Sequence, residues 1–119
     1  MMRLGMTISV VLFLGHAGAA VSQPSDKDLA VQELSGRYLD CLIGEAQKLD
    51  DHVSDAATIA SGIADLCGPE MQHIKNAVDQ GVNVRVGRML DQHLDGMRQS
   101  TAITAVLKER QMARAAHSN

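Results

Sequence analysis

Residues 41–67 read CLIGEAQKLDDHVSDAATIASGIADLC and begin and end with the two cysteines of the chain. Two helix-like halves flank a polar centre, which predicts a helical hairpin that turns near Ser54. At about 1.5 Å per helical residue, both sulfurs would lie about 18 Å from the turn, facing each other. The spacing predicts a structural disulfide between Cys41 and Cys67, since a redox-active pair is typically spaced C-x-x-C.

The first twenty residues have the features of a secretory signal peptide. Arg3 gives a positive start, residues 6–14 form an apolar run, and the small residues 17–20 fit an A-x-A cleavage site. The apolar run is shorter than the roughly 20 residues that span a bilayer, which favours a cleaved signal over a membrane anchor. We therefore expect a periplasmic or secreted protein that begins at Ala20 or Val21 and has no membrane segment.

The composition of the mature chain excludes some binding modes. About 99 residues remain after cleavage, enough for one domain with one core. Tyr38 is then the only aromatic residue, because Phe13 lies in the signal. Proteins that bind single-stranded nucleic acid stack bases on aromatic rings, so a nucleic-acid partner is not expected.

The charge is distributed unevenly along the chain. Residues 21–81 hold four basic and eleven acidic side chains, whereas residues 82–119 hold six basic and three acidic ones. Such asymmetry is typical either of a basic segment that seeks an anionic partner or of one that docks on an acidic region of its own chain. We favour docking within the chain.

The apolar periodicity predicts an all-α domain over residues 21–119. In this domain a disulfide-clipped hairpin packs against a third, long helix, which is expected to bend near Gly96 or to be a pair of helices. The predicted helices cover residues 26–51, residues 55–80 with a kink after Cys67, and residues 84–115. The kink is expected because Gly68 and Pro69 interrupt the second helix, and a break that restarts at Pro69 is the alternative.

Three polar residues are predicted to cap these helices: Ser25, Ser54 and Asn83. Residues 82–86 alternate as in a strand, but no second strand could pair with them, so they are expected to open the third helix. Surplus apolar residues on that helix favour a homodimer or an unknown protein partner. The predicted core residues are Leu34, Tyr38, Leu42, Leu49, Ile59, Ile63, Leu66, Met71, Ile74, Val78, Val86, Met89, Leu90, Leu94, Met97, Ile103, Val106 and Leu107.

The polar tip of the hairpin is the weak candidate for a metal site, with Asp50, Asp51, His52 and Asp55 as its residues. Carboxylates suit calcium, and a histidine suits zinc. The spacing matches no calcium loop, and such charges are typical of a solvated turn, so no metal or cofactor is assigned. Asp50 and Asp51 are nevertheless unusual, because carboxylates at a helix C-terminus oppose the helix dipole by roughly 0.3–1 kcal/mol each.

His93 is a further candidate ligand or general base, and its position on the apolar stripe predicts a partly buried or boundary side chain. No nucleophile elbow, phosphate loop or zinc-protease motif occurs in the sequence. The sequence therefore predicts no catalytic residues.

Residues 38–71 contain five short runs on which a resemblance rests: Tyr38-Leu39-Asp40-Cys41, Leu49-Asp50-Asp51, Ser54-Asp55-Ala56, Thr58-Ile59-Ala60 and Cys67. With these runs the chain resembles a set of small exported bacterial proteins of unknown function, which have a signal peptide and two cysteines at about this separation. The chain departs from them at Gly68 and Pro69, where a continuous helix would be expected. The resemblance implies a helical, exported, disulfide-bonded protein and no activity, cofactor or binding residue.

These features predict a small exported helical protein that acts without catalysis, as an interaction or structural protein. The alternative is a periplasmic module that binds a metal or a small ligand through the hairpin tip or His93.

Overall fold

The computed structural model describes residues 22–118, which contain four helices and no strand. These helices are α1 (Asp26–Leu49), α2 (Ala56–Leu66), α3 (Gly68–Asp79) and α4 (Val84–His117). The predicted all-α class is confirmed. The predicted signal peptide, residues 1–20, and its cleavage site lie outside the described residues.

The start of α1 is capped as predicted. The Ser25 hydroxyl accepts a hydrogen bond from the Asp28 amide, and the Asp28 carboxylate accepts one from the Ser25 amide, which completes a capping box. The hydrogen bonds from Ser25 lower the pKa of Asp28. At its other end α1 stops at Leu49, two residues before the predicted end, because Asp50 has an extended backbone.

The predicted second helix is divided into two in the structure. Cys67 ends α2 and precedes Gly68, the first residue of α3, so the break lies at the cysteine itself. Pro69 occupies the first turn of α3, where its missing N–H leaves no hydrogen bond unmade. Asp55, and not the predicted Ser54, caps α2 by accepting a hydrogen bond from the Ala57 amide.

The Cys41–Cys67 disulfide is present and joins the middle of α1 to the junction of α2 and α3. The two Cα atoms are 6.0 Å apart, and Cys67 is fully buried. The bond therefore holds α1 against the residue at which α2 ends and α3 begins. A disulfide of this kind is compatible with an extracellular location.

The core of the bundle is narrow because small residues fill much of it. Five of its twelve buried apolar residues are alanines, distributed over α1, α2 and α4, and they let the helix backbones approach closely. The largest fully buried side chains are Leu42, Ile63 and Val106. The twelve are Tyr38, Leu42, Ala46, Ala60, Ile63, Ala64, Cys67, Met71, Ile74, Ala102, Ala105 and Val106.

The narrow core leaves six residues of the predicted core exposed. Their exposed fractions range from 39% for Val86 to 60% for Met89, and the other four are Leu49, Leu66, Met97 and Leu107. The core prediction is wrong at these positions, since alanine-lined contacts bury only a thin strip of each helix. Four of them lie on α4, which therefore exposes considerable apolar surface.

The turn between α3 and α4 depends on backbone freedom. Gly81 adopts a φ of 75°, which favours glycine. The Asn83 side chain then accepts a hydrogen bond from the Val86 amide, so the predicted cap is confirmed and residues 84–86 are helical. Within the first turn of α4, a Cβ added to Gly87 would lie 3.3 Å from an Asp79 carboxylate oxygen, so glycine allows this close approach.

None of the described helices is both long and apolar enough to cross a membrane.

We expect the double substitution Cys41→Ala/Cys67→Ala to lower the free energy of unfolding by about 3.5 kcal/mol. The disulfide closes a loop of 26 residues, and the chain-entropy estimate for a loop of this size is about 3.5 kcal/mol. Urea unfolding followed by circular dichroism measures the loss. Reduced wild-type protein is the control and should lose a similar amount, and equal stability of the oxidised and reduced wild type would contradict the expectation.

Candidate functional site

The tip of the hairpin is a tight polar loop between α1 and α2. His52 has a φ of 59°, in the left-handed region that few residues other than glycine adopt. An Asp51 carboxylate oxygen accepts hydrogen bonds from the amides of Val53, at 3.0 Å, and Ser54, at 2.7 Å, and the other oxygen accepts one from the Ser54 hydroxyl. These bonds from Ser54 and Val53 lower the pKa of Asp51 to about 2.

The structure separates the four residues predicted as metal ligands. Asp51 binds the loop amides and Asp55 caps α2, so both carboxylates accept hydrogen bonds from nearby backbone amides. Asp50 and His52 instead lie together with Glu109 of α4, and ligand atoms of these three residues are all within 4.8 Å of one another. The sequence alone did not indicate Glu109, which lies 57 residues after His52.

Asp50 and Arg110 form a charged pair that attaches the loop to α4. The Arg110 guanidinium donates from Nε to Asp50 Oδ2 at 2.8 Å and from Nη2 to Oδ1 at 2.7 Å. Arg110 Nη2 also donates to the Ser54 carbonyl at 2.7 Å, and the Asp50 side chain is fully buried. Hydrogen bonding by Arg110 is the main cause that lowers the pKa of Asp50 to about 2.

This pair explains why a carboxylate follows the end of α1. The unfavourable interaction with the helix dipole is offset by a bidentate hydrogen-bonded ion pair, which is stronger than the dipole term. Within the sequence, the signals of such a pair were the unfavourable position of Asp50 and the charge asymmetry between the two halves of the chain. Its partner lies 60 residues away, and no local pattern points to Arg110.

Glu109 is buried beside this pair, and part of its carboxylate has no partner. Its side chain is 9% exposed, and Oε2 is inaccessible to solvent and makes no hydrogen bond. The Nε2 nitrogen of His52 lies 3.7 Å from Oε2, which is beyond hydrogen-bonding distance. A buried carboxylate without hydrogen bonds is costly, so a cation next to Oε2 would stabilise it.

Two other candidate positions are less suited to binding a metal. His93 is exposed, so the prediction of a partly buried or boundary side chain is wrong. Glu70 lies within 4.8 Å of the sulfurs of Cys41 and Cys67. Both sulfurs are in the disulfide, however, and zinc binds cysteine as the thiolate.

A second feature is an apolar groove between α1 and α4. It consists of two adjoining depressions, of about 180 and 270 Å³, that share Leu39 and Thr101. Among the described residues that line it, only Lys108 carries a charge. The lining residues are Ser35, Tyr38, Leu39, Ile43, Met71, Ile74, Leu94, Met97, Thr101, Thr104, Ala105 and Lys108.

Tyr38 forms part of the groove at its buried side. It is 3% exposed, its hydroxyl oxygen makes no hydrogen bond, and burial raises the pKa of this phenol. Leu39 and Met97, on opposite walls, are 44% and 46% exposed. The groove therefore presents mainly apolar side chains to whatever covers it, and the unpartnered hydroxyl of Tyr38 lies buried beneath them.

Ion pairs attach the basic half of the chain to the acidic half, as expected from the charge asymmetry. Arg98 of α4 pairs with Asp65 of α2 at 2.6 Å, and Arg110 pairs with Asp50. These two pairs confirm that basic residues of α4 dock on acidic residues of their own chain. They position α4 along the hairpin, and they lie outside the lining of the apolar groove.

We expect Arg110→Met to lower the melting temperature by roughly 10 °C, because breaking a buried ion pair leaves an uncompensated charge and a domain of this size shifts by several degrees per kcal/mol. Arg88→Met is the matched control, since Arg88 is an exposed residue near the start of α4. Thermal unfolding followed by circular dichroism measures both variants. A loss for Arg110→Met no larger than for the control would contradict the assigned role.

We also expect Asp50 to make the stability depend on acid pH. Its pKa falls from an ordinary value of 3.8 to about 2 on folding, so its contribution is complete above about pH 5 and is lost progressively as the pH falls through 2. In Asp50→Asn, the free energies of unfolding in urea at about pH 5 and about pH 2.5 should differ less than in the wild type. Asp40→Asn, which replaces an exposed carboxylate of α1, is the control, and an unchanged pH dependence in Asp50→Asn would refute the expectation.

Comparison with protein-family models, with curated proteins and with solved structures found no match to this chain. The resemblance of residues 38–71 to small exported two-cysteine proteins stays a prediction. The function of the chain has to be inferred from its own residues and geometry.

Proposed function

We propose that the chain is a small exported protein that acts by association and not by catalysis, and that a second copy of itself covers the apolar groove between α1 and α4. The observation that carries this proposal is the groove, whose lining includes Leu39 and Ile43 of α1 and Leu94 and Met97 of α4. Covering apolar surface of this kind lowers the free energy of the system.

The groove suits a helix better than a small polar ligand. Its α4 wall extends from Leu94 to Lys108, which corresponds to about 21 Å of helix at 1.5 Å per residue. An amphipathic helix binds in such a groove through apolar side chains at successive turns. Methionines in the lining adapt to the shape of the partner surface.

Charge supports a second copy of the chain as the partner. Within its bounds α1 carries five acidic and three basic residues, a net charge of −2. Of the six basic residues of α4, Arg98 and Arg110 pair within the chain, so four basic and three acidic residues remain, a net charge of +1. In a twofold dimer, the same surface of both protomers is used. Pairing α1 of one protomer with α4 of the other would therefore bring opposite net charges together.

The available area is close to what a dimer requires. The 24 residues of α1 extend about 36 Å, and two helices side by side are about 20 Å wide, which gives a face of roughly 700 Å². A stable interface buries about 800 Å² on each partner. The α1–α4 face is thus sufficient when neighbouring exposed residues such as Met112 contribute.

Export to the periplasm or out of the cell is part of the same proposal. The N-terminal sequence has the order of charged, apolar and small residues that a signal peptide has. The disulfide would persist in an oxidising compartment. A protein with so narrow a core benefits there from a covalent brace.

Sedimentation equilibrium of the oxidised protein over a wide range of concentration tests the dimer. We expect the average mass to rise from that of one chain to that of two, and Leu39→Glu to keep the mass at that of one chain. A glutamate at this position would place a charge in the apolar interface, which strongly disfavours association.

Leu66→Glu provides the matched control, because Leu66 is an exposed leucine of α2 that does not line the groove. This variant should dimerise like the wild type. A mass of one chain at the highest concentration would overturn the second copy as occupant. Capture of a different protein by a photocrosslinker placed at position 97 would then identify what covers the groove.

A further inference from the structure

We propose that Asp50, His52 and Glu109 form a zinc-binding site at the tip of the hairpin. This site goes beyond the proposed association, since none of its residues lines the groove between α1 and α4. One ligand atom from each residue lies within 4.8 Å of the other two. Two ligands come from the loop and one from α4, so a bound ion would connect the loop to that helix.

The buried carboxylate of Glu109 is the observation that points to a cation. Its side chain is 9% exposed, and Oε2 faces the imidazole of His52 without a hydrogen bond. Native proteins seldom leave a buried charged oxygen without a partner, and a bound ion commonly satisfies an oxygen of this kind. The exposed carboxylates of Asp51 and Asp55 show no such deficit, because both accept hydrogen bonds from backbone amides.

The spacing of the donors agrees with a tetrahedral ion. Zinc binds histidine nitrogen and carboxylate oxygen at about 2.0–2.2 Å, so two such ligands are about 3.4 Å apart in a tetrahedral site. The distance between His52 Nε2 and Glu109 Oε2 is 3.7 Å. A movement of a few tenths of an ångström would therefore bring both atoms into coordination.

Asp50 retains capacity for a third bond although it pairs with Arg110. Its Oδ1 accepts hydrogen bonds from Arg110 Nη2 and from the His52 amide, whereas Oδ2 accepts one from Arg110 Nε. A carboxylate oxygen has two lone pairs, so Oδ2 has one available for an ion. Arg110 would remain in place and orient the carboxylate, as outer groups of metal sites commonly do.

The donor set and the charge favour zinc over calcium or magnesium. One imidazole and two carboxylates match zinc, whereas calcium and magnesium bind oxygen ligands almost exclusively. With a neutral imidazole, Asp50, Glu109 and Arg110 together carry a charge of −1, which favours a cation. His52 is half exposed, at 48% of its side chain, so solvent can supply the fourth ligand.

Isothermal titration of the untagged, oxidised protein with zinc chloride tests the site. The absence of reductant keeps Cys41 and Cys67 in the disulfide, so Glu70 and the thiols cannot provide a second site. We expect one zinc ion per chain and a higher melting temperature with zinc than without it. His52→Asn and Glu109→Gln should each weaken binding roughly tenfold or more, since even groups in the outer shell of a metal contribute about that much.

His73→Asn and Glu33→Gln are the matched controls, because both replace exposed residues away from the tip and should leave zinc binding unchanged. Asparagine suits position 52 because it tolerates the positive φ of His52. If Glu109→Gln folds poorly, the zinc affinity of His52→Asn alone tests the site. Binding of equal strength in His52→Asn and wild type, or no saturable binding up to about 1 mM zinc, would overturn the proposal.

Discussion

The bond between Cys41 and Cys67 is the constraint on which the rest of this structure depends. It joins the middle of α1 to the residue at which α2 ends and α3 begins, so one covalent link fixes the packing of three helices. Five alanines in the core allow close packing but contribute little apolar area. In a chain with such a core, a disulfide that restricts the unfolded state therefore adds more to the free energy of unfolding than further packing would.

The fourth helix packs on this unit through the buried residues Ala102, Ala105 and Val106, and two charged pairs fix its position. Arg98 and Arg110 pair with carboxylates of the hairpin, and Arg110 also binds the Ser54 carbonyl. The pair with Asp50 is buried and bidentate, so it fixes both the orientation of α4 and its distance from the hairpin. The acidic first half and the basic second half of the sequence are therefore complementary parts of one domain.

Local signals in the sequence were sufficient to predict the helical class, the disulfide and the caps at Ser25 and Asn83. Each of these depends on residues close in sequence or on the two cysteines alone. The pairing of Asp50 with Arg110 and the approach of Glu109 to His52 arise only when α4 packs on the hairpin. The exposure of α4 methionines was also beyond prediction, because helical spacing identifies an apolar face but not the width of the core that it meets.

The narrow core accounts for both surfaces proposed to have a function. Helices that contact each other through alanines bury only a thin strip, so larger apolar side chains such as Leu39 and Met97 remain on the surface beside it. At the hairpin tip the same close packing encloses Glu109, a residue too polar for a core, next to His52. A partner that covers the apolar groove would lower the free energy of the protein, and so would one that compensates the charge of the buried carboxylate. The stability of this chain and the two proposed binding surfaces thus have a common origin in the way its small residues pack.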